Sequence, residues 1–134
     1  MYISAENIED FLSQVPDKEL LVKIGRLIQE TTDYSPEYWN NGHSFSCLSF
    51  GQVEQKDNCQ SAGKIGLTGQ KNEVAIYFDL DLLGDNFLSP YQTFFPKSLI
   101  GKSCIKIRNV KALEKYQEKL IEIFKKAKST SPLK

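Results

Sequence analysis

Lys64-Ile65-Gly66-Leu67-Thr68-Gly69-Gln70-Lys71-Asn72-Glu73-Val74-Ala75-Ile76-Tyr77-Phe78-Asp79 is the stretch on which the fold turns. Residues 64–68 alternate through Ile65 and Leu67, and residues 73–79 through Val74, Ile76 and Phe78. A period of two with one apolar side is the pattern of a strand with one buried face. Gly69-Gln70-Lys71-Asn72 between the runs has the composition of a hairpin turn, so the two strands pair antiparallel.

Working outward, residues 45–50 read as a further strand of aromatic and small residues, although no strict alternation selects its inward side. Residues 51–63 are polar and read as a long exposed loop. Residues 80–96 contain Gly84, Pro90 and Pro96 and read as loop with one helical turn. Residues 103–108 alternate through Ile105 and Ile107, which predicts a last strand.

Helices bracket this block. Ile8, Phe11, Leu12 and Val15 fall on one helical face, with Ser4 placed to cap it. Pro16-Asp17 breaks that helix and starts another, whose stripe is Leu20, Leu21, Ile24, Leu27 and Ile28. Gly25 within it costs about 1 kcal/mol relative to alanine, a cost that close packing against a neighbour would explain. Asn109 caps a closing helix with Leu113, Tyr116, Leu120, Phe124 and Ala127 on its apolar face, and residues 129–134 form a frayed tail. The pattern predicts one α+β domain over residues 1–134. Its architecture is a two-layer sandwich, an antiparallel sheet covered on one face by the N- and C-terminal helices.

Seventeen basic residues balance seventeen acidic ones. A nucleic-acid binder normally shows a basic excess, so no nucleic-acid partner is expected. No run approaches the roughly 20 apolar residues that cross a bilayer, and no signal peptide is visible, so no membrane association is expected. Cys47, Cys59 and Cys104 are odd in number and irregular in spacing, which suits a reducing cytoplasm better than a disulfide framework. Phosphate-binding glycine loops and zinc-hydrolase motifs are absent from the sequence.

Several segments resemble the YdhG-like family of small bacterial domains of unknown function. Phe11-Leu12-Ser13-Gln14-Val15-Pro16 is similar to that family's aromatic-leucine-x-x-hydrophobic-proline pattern, and residues 20–32 to its second amphipathic helix. Trp39-Asn40-Asn41-Gly42-His43-Ser44-Phe45 resembles its tryptophan- or tyrosine-glycine-x-proline-x-phenylalanine segment, with asparagines and His43 in place of the usual glycine and proline. Gly101-Lys102-Ser103-Cys104-Ile105-Lys106-Ile107-Arg108 followed by residues 113–127 looks like its closing turn, strand and helix. The resemblance implies a frataxin-like fold. One branch of the family is associated with iron delivery, so it also implies iron as an alternative cargo, with no ligand carried over by motif.

The lone tryptophan and lone histidine fall together in residues 38–50. A pocket there, running from Trp39 through His43 to Phe45, would use the Trp39 indole to stack on a ligand and the amides of Asn40 and Asn41 to orient it, with Phe50 and Tyr77 as walls. The plainer alternative is a packed tryptophan beside an Asn41-Gly42 turn. No serine or cysteine nucleophile sits in a recognisable elbow, so His43 lacks a catalytic partner and no catalytic residue is assigned. Glu6, Glu9 and Asp10 share the first helix and are the candidate metal ligands, although acidic residues at a helix start also complement its dipole. Asp79, Asp81 and Asp85 read as turn residues, and the Lys111, Lys115, Lys119 stripe beside Glu114, Glu118 and Glu122 as a solvated helix face. The sequence thus predicts a non-enzymatic cytoplasmic binding protein without a cofactor, for a small molecule or a protein partner, with iron binding as the alternative.

Overall fold

A computed structural model describes residues 4–42, 45–52 and 63–130. The hairpin forms as its alternation requires: β3 (Ile65–Gln70) and β4 (Glu73–Phe78) pair antiparallel from Ile65↔Phe78 to Gln70↔Glu73. The turn is therefore Lys71-Asn72 alone, and the strand continues through Gly69 and Gln70, which the composition had placed in the turn. Gly69 is needed there for space. A side chain on it would run into Val15, which packs the end of the first helix against the strand.

β2 (Ser46–Phe50) adds to β3 through Leu48↔Leu67 and Phe50↔Ile65, and β1 (Glu37–Asn40) adds to β2 through Trp39↔Cys47. β5 (Cys104–Ile107) closes the other side through Val74↔Ile107 and Ile76↔Ile105. The result is a five-stranded antiparallel meander in the order β1-β2-β3-β4-β5.

Two helices precede the sheet, α1 (Ile8–Ser13) and α2 (Lys18–Thr32). Asn7, not Ser4, caps α1 by accepting from the Asp10 backbone N–H at 2.9 Å, while the Ser4 carbonyl accepts from Gln14. Asp17 caps α2 in the same way, accepting from Leu20 at 3.1 Å. The closing helix α4 (Val110–Ser129) starts at Asn109 as expected, accepting from Ala112 at 2.8 Å. Ser129 is thus helical and Thr130 caps α4, against the expectation of fraying from 129.

Both long helices lie on one side of the sheet. Leu20, Leu21, Ile24 and Ile28 of α2 join Leu113, Leu120, Ile123, Phe124 and Ala127 of α4 against Leu48, Phe50, Ile65, Leu67, Val74, Ile76, Ile105 and Ile107. Burial of aliphatic side chains at about 25 cal/mol per Å² is the main force holding the layers together. The β4–β5 connection contributes more than a loop would. It holds α3 (Leu80–Leu83), capped by Asp79, and a 3₁₀ turn at Ser89–Phe94, and it buries Leu82, Leu83, Phe87, Leu88, Tyr91 and Phe95. Phe87 meets Phe78 at 5.4 Å between ring centroids, and Phe95 meets Tyr116 at 4.9 Å.

Lys64, only 6% exposed, fastens the layers at one corner. Its Nζ donates to the carbonyls of Ala127, Lys128 and Thr130 at 3.1, 3.2 and 2.8 Å. The last carbonyls of a helix lack intrahelical partners and carry the negative end of its dipole, so an ammonium there satisfies both. Among the described residues no helix is long and apolar enough to cross a membrane.

Candidate functional site

Strand alternation gives the sheet a second face, on the side away from α2 and α4. β3 and β4 place Gly66, Thr68, Ala75 and Tyr77 there, and β2 places Cys47 and Ser49. Trp39, opposite Cys47 on β1, shares that side. Three rings meet on it. Trp39 and Phe45 lie 6.1 Å apart between centroids, and Phe45 meets Tyr77 edge-on at 5.4 Å and 86°. All three are half-buried. On the same face Cys47, Ser49, Gly66, Thr68 and Ala75 are buried and small.

The sequence grouped six residues here, and the structure unites three of them. Trp39, Phe45 and Tyr77 form one row. Phe50 does not belong to it: it is 0% exposed on the helix-facing side, with its ring 3.6 Å from where a Cβ on Gly25 would stand. Residues 46–50 are buried on both faces, so alternation could not tell which side Phe50 took. Asn40 also leaves the group, because it pairs with Ser46 and shares the side of Tyr38. Its amide donates to the Tyr38 hydroxyl at 3.2 Å and accepts from the Gly42 N–H at 2.8 Å, which shapes the hairpin turn. His43 lies outside the described residues, as do Cys59 and most of the 51–63 loop.

The two thiols and the phenol of this face are shifted toward their neutral forms. Burial pushes the Cys47 thiol up to about 12. Burial also raises Cys104, opposed by Lys106 and reinforced by Glu73. Tyr77, opposite Cys104, is raised by burial and then by Cys104 and Glu73, against the pull of Lys106. Lys106 and Glu73 pair with each other at 3.6 Å on the same face. A thiol acts as a nucleophile only as thiolate, so neither cysteine is activated here. The arrangement suits the stacking of flat groups rather than proton transfer.

The acidic candidates are arranged otherwise. The Asp10 carboxylate accepts from the Glu6 backbone N–H at 3.0 Å and from Gln14 Nε2 at 3.4 Å, so Asp10 works with Asn7 to seal the start of α1. Glu9 faces a groove of about 530 Å³ between α1 and β1, which Asn7, Ile8, Pro36, Glu37 and Tyr38 also line. Among the described residues no three His, Cys, Asp or Glu side chains converge as a metal set would. Asp79 is spent on the α3 cap, accepting from Asp81 and Leu82, in keeping with the turn reading.

The small floor was not singled out from the sequence, yet it left a signal. Gly66 and Ala75 occupy positions that alternation assigns to the side away from the helices, where polar residues are usual. A glycine inside a strand marks a place where something approaches closely. Compared with known proteins, the chain matches no protein-family model, no curated protein and no solved structure.

Proposed function

We propose that this chain is a non-enzymatic, cytoplasmic binding domain of the YdhG-like type that recognises a small planar ligand on the second face of its sheet. The observation that carries the reading is the row Trp39, Phe45, Tyr77 laid across a floor of small residues. A sheet face turned away from the helix layer normally alternates to polar side chains. Ligand sites, by contrast, are mostly aromatic and apolar with a few polar groups, and here the Lys106–Glu73 pair stands beside the rings. Neutral thiols and phenol support binding over catalysis.

Iron delivery, which the family resemblance also implies, has less behind it, since Asp10 already serves the start of α1. The test is intrinsic fluorescence, because Trp39 is the single tryptophan. Titration with a panel of flat aromatic and heteroaromatic fragments should give a saturable change in its emission for at least one of them. Calorimetry should show the same binding lost in Tyr77→Ala. A panel that leaves the emission unmoved, or full binding by Tyr77→Ala, removes the reading. Saturation by ferrous iron at micromolar concentration, lost in Glu9→Ala and Asp10→Ala, would put the iron carrier in its place.

A further inference from the structure

We infer that the Phe45 ring occupies the slot meant for the ligand, and that the slot takes a single flat aromatic ring bearing one hydroxyl or amino group, which bonds to Thr68 Oγ1. This rests on the second face being the recognition surface. Trp39 on β1 and Tyr77 on β4 stand three strand spacings apart, about 14 Å. One ring touching both must lie over β2 and β3. Cys47 and Thr68 lie on that part of the face, and Cys47 covers Gly66: a Cβ there would stand 3.1 Å from Cys47 Sγ.

Thr68 supplies the second observation. It is 2% exposed, and its Oγ1 has no hydrogen-bond partner among the described residues. Leu67 packs toward Gly25 on the helix side, so Thr68 projects onto the second face with the rings. Buried hydroxyls are nearly always bonded, and an exception calls for an explanation. A phenyl ring cannot bond to it, whereas a phenol or an aniline can.

For the ligand to enter, Phe45 must move its side chain aside. Its backbone is held on both sides by Asn41: the Phe45 N–H donates to Asn41 Oδ1 at 3.0 Å, and its carbonyl accepts from the Asn41 N–H at 2.9 Å. On this proposal only the Phe45 side-chain torsions change, and the Asn41 pair keeps the backbone in place. Self-occupation lowers the apparent affinity by the fraction of molecules with the ring in place.

The experiment compares phenol with toluene, which differ only in hydroxyl against methyl, on the wild type, Phe45→Ala and Phe45→Ala/Thr68→Val. Binding is followed by Trp39 emission and by the indole N–H resonance, and folding by circular dichroism. Phe45→Ala should bind phenol at least about tenfold tighter than the wild type. It should prefer phenol to toluene by about tenfold, and Thr68→Val should erase that preference. Equal binding of the two probes by Phe45→Ala overturns the role of Thr68. Wild-type affinity equal to that of Phe45→Ala shows a ligand stacking outside the row, which sinks the slot and leaves the recognition face standing. Failure of every variant to respond to either probe removes both. If Phe45→Ala does not fold, Phe45→Leu carries the same comparison with a smaller gap.

Discussion

Toward the helices, β3 and β4 present Ile65, Leu67, Val74, Ile76 and Phe78; toward the other side, the same two strands present Gly66, Thr68, Ala75 and Tyr77. The first set is large, aliphatic or aromatic, and fully interdigitated with α2 and α4. The second is small, with its bulk supplied by three rings lying over it from β1, β4 and the residue before β2. Large side chains hold a layer by area removed from water. A floor of small ones adds little area and leaves a flat bed. One face thus accounts for most of the stability, and the other is the face on which the proposed recognition rests.

The largest effect should come from the helix side. Leu67→Ala is expected to cost about 3 kcal/mol or more, as buried leucines do, while Phe45→Ala on the second face should cost about 1–2 kcal/mol. Urea denaturation of both variants measures this. Equal losses would break the contrast between the faces.

The next effect is in alkaline solution. Burial raises the Cys47 thiol from 9.0 to about 12, so the folded chain keeps a proton that the unfolded chain releases. The resulting stability is complete below pH 9, begins to fall as the unfolded thiol ionises, and is gone as pH passes about 12. The slope is about 1.4 kcal/mol per pH unit, and Tyr77 and Cys104 shift in the same direction. Denaturation midpoints at pH 8, 9, 10 and 11 should fall for the wild type and fall less steeply in Cys47→Ala, where Tyr77 and Cys104 remain. An unchanged slope in that variant would show that the floor is wetter than its burial implies.

Thr68→Val should stabilise the ligand-free protein by about 1 kcal/mol, because it removes a buried hydroxyl without a partner. A loss of thermal stability would show that the hydroxyl is bonded and would sharpen the floor into an ordinary packed surface. Smallest of all, Gly25→Ala should gain about 0.5–1 kcal/mol of helix propensity. A methyl there would sit 3.6 Å from Phe50 and 3.8 Å from both Leu48 and Leu67, which is ordinary contact, so the glycine is not forced by close packing. A cooperative melt shifted downward would mean that the helix side is tighter than those distances.

Much of the helix-facing layer was legible because periodicity records burial on one side. Ile65, Leu67, Val74, Ile76, Ile105 and Ile107 announced their strands, and Asn109 announced its helix. β1 was harder. Its four residues are too few to show a period, and only the Asn41-Gly42 turn hinted at a partner strand. Phe50 was misplaced because β2 is buried on both sides, which erases the polar half of the alternation. The row of rings depends on side chains from three separate segments meeting on one face, and nothing local in residue 45 says that it meets both Trp39 and Tyr77. Lys64 left no local trace either, since its partners are 63 to 66 residues away.

That distance has a consequence for the order of assembly. The central hairpin can form from its own neighbouring residues, but the ammonium at its head has to wait for carbonyls that are made much later. Contacts between remote parts of a chain close slowly. A nascent polypeptide therefore carries an unanswered cation beside its middle strand until α4 has emerged, and the arrival of Thr130 latches the whole.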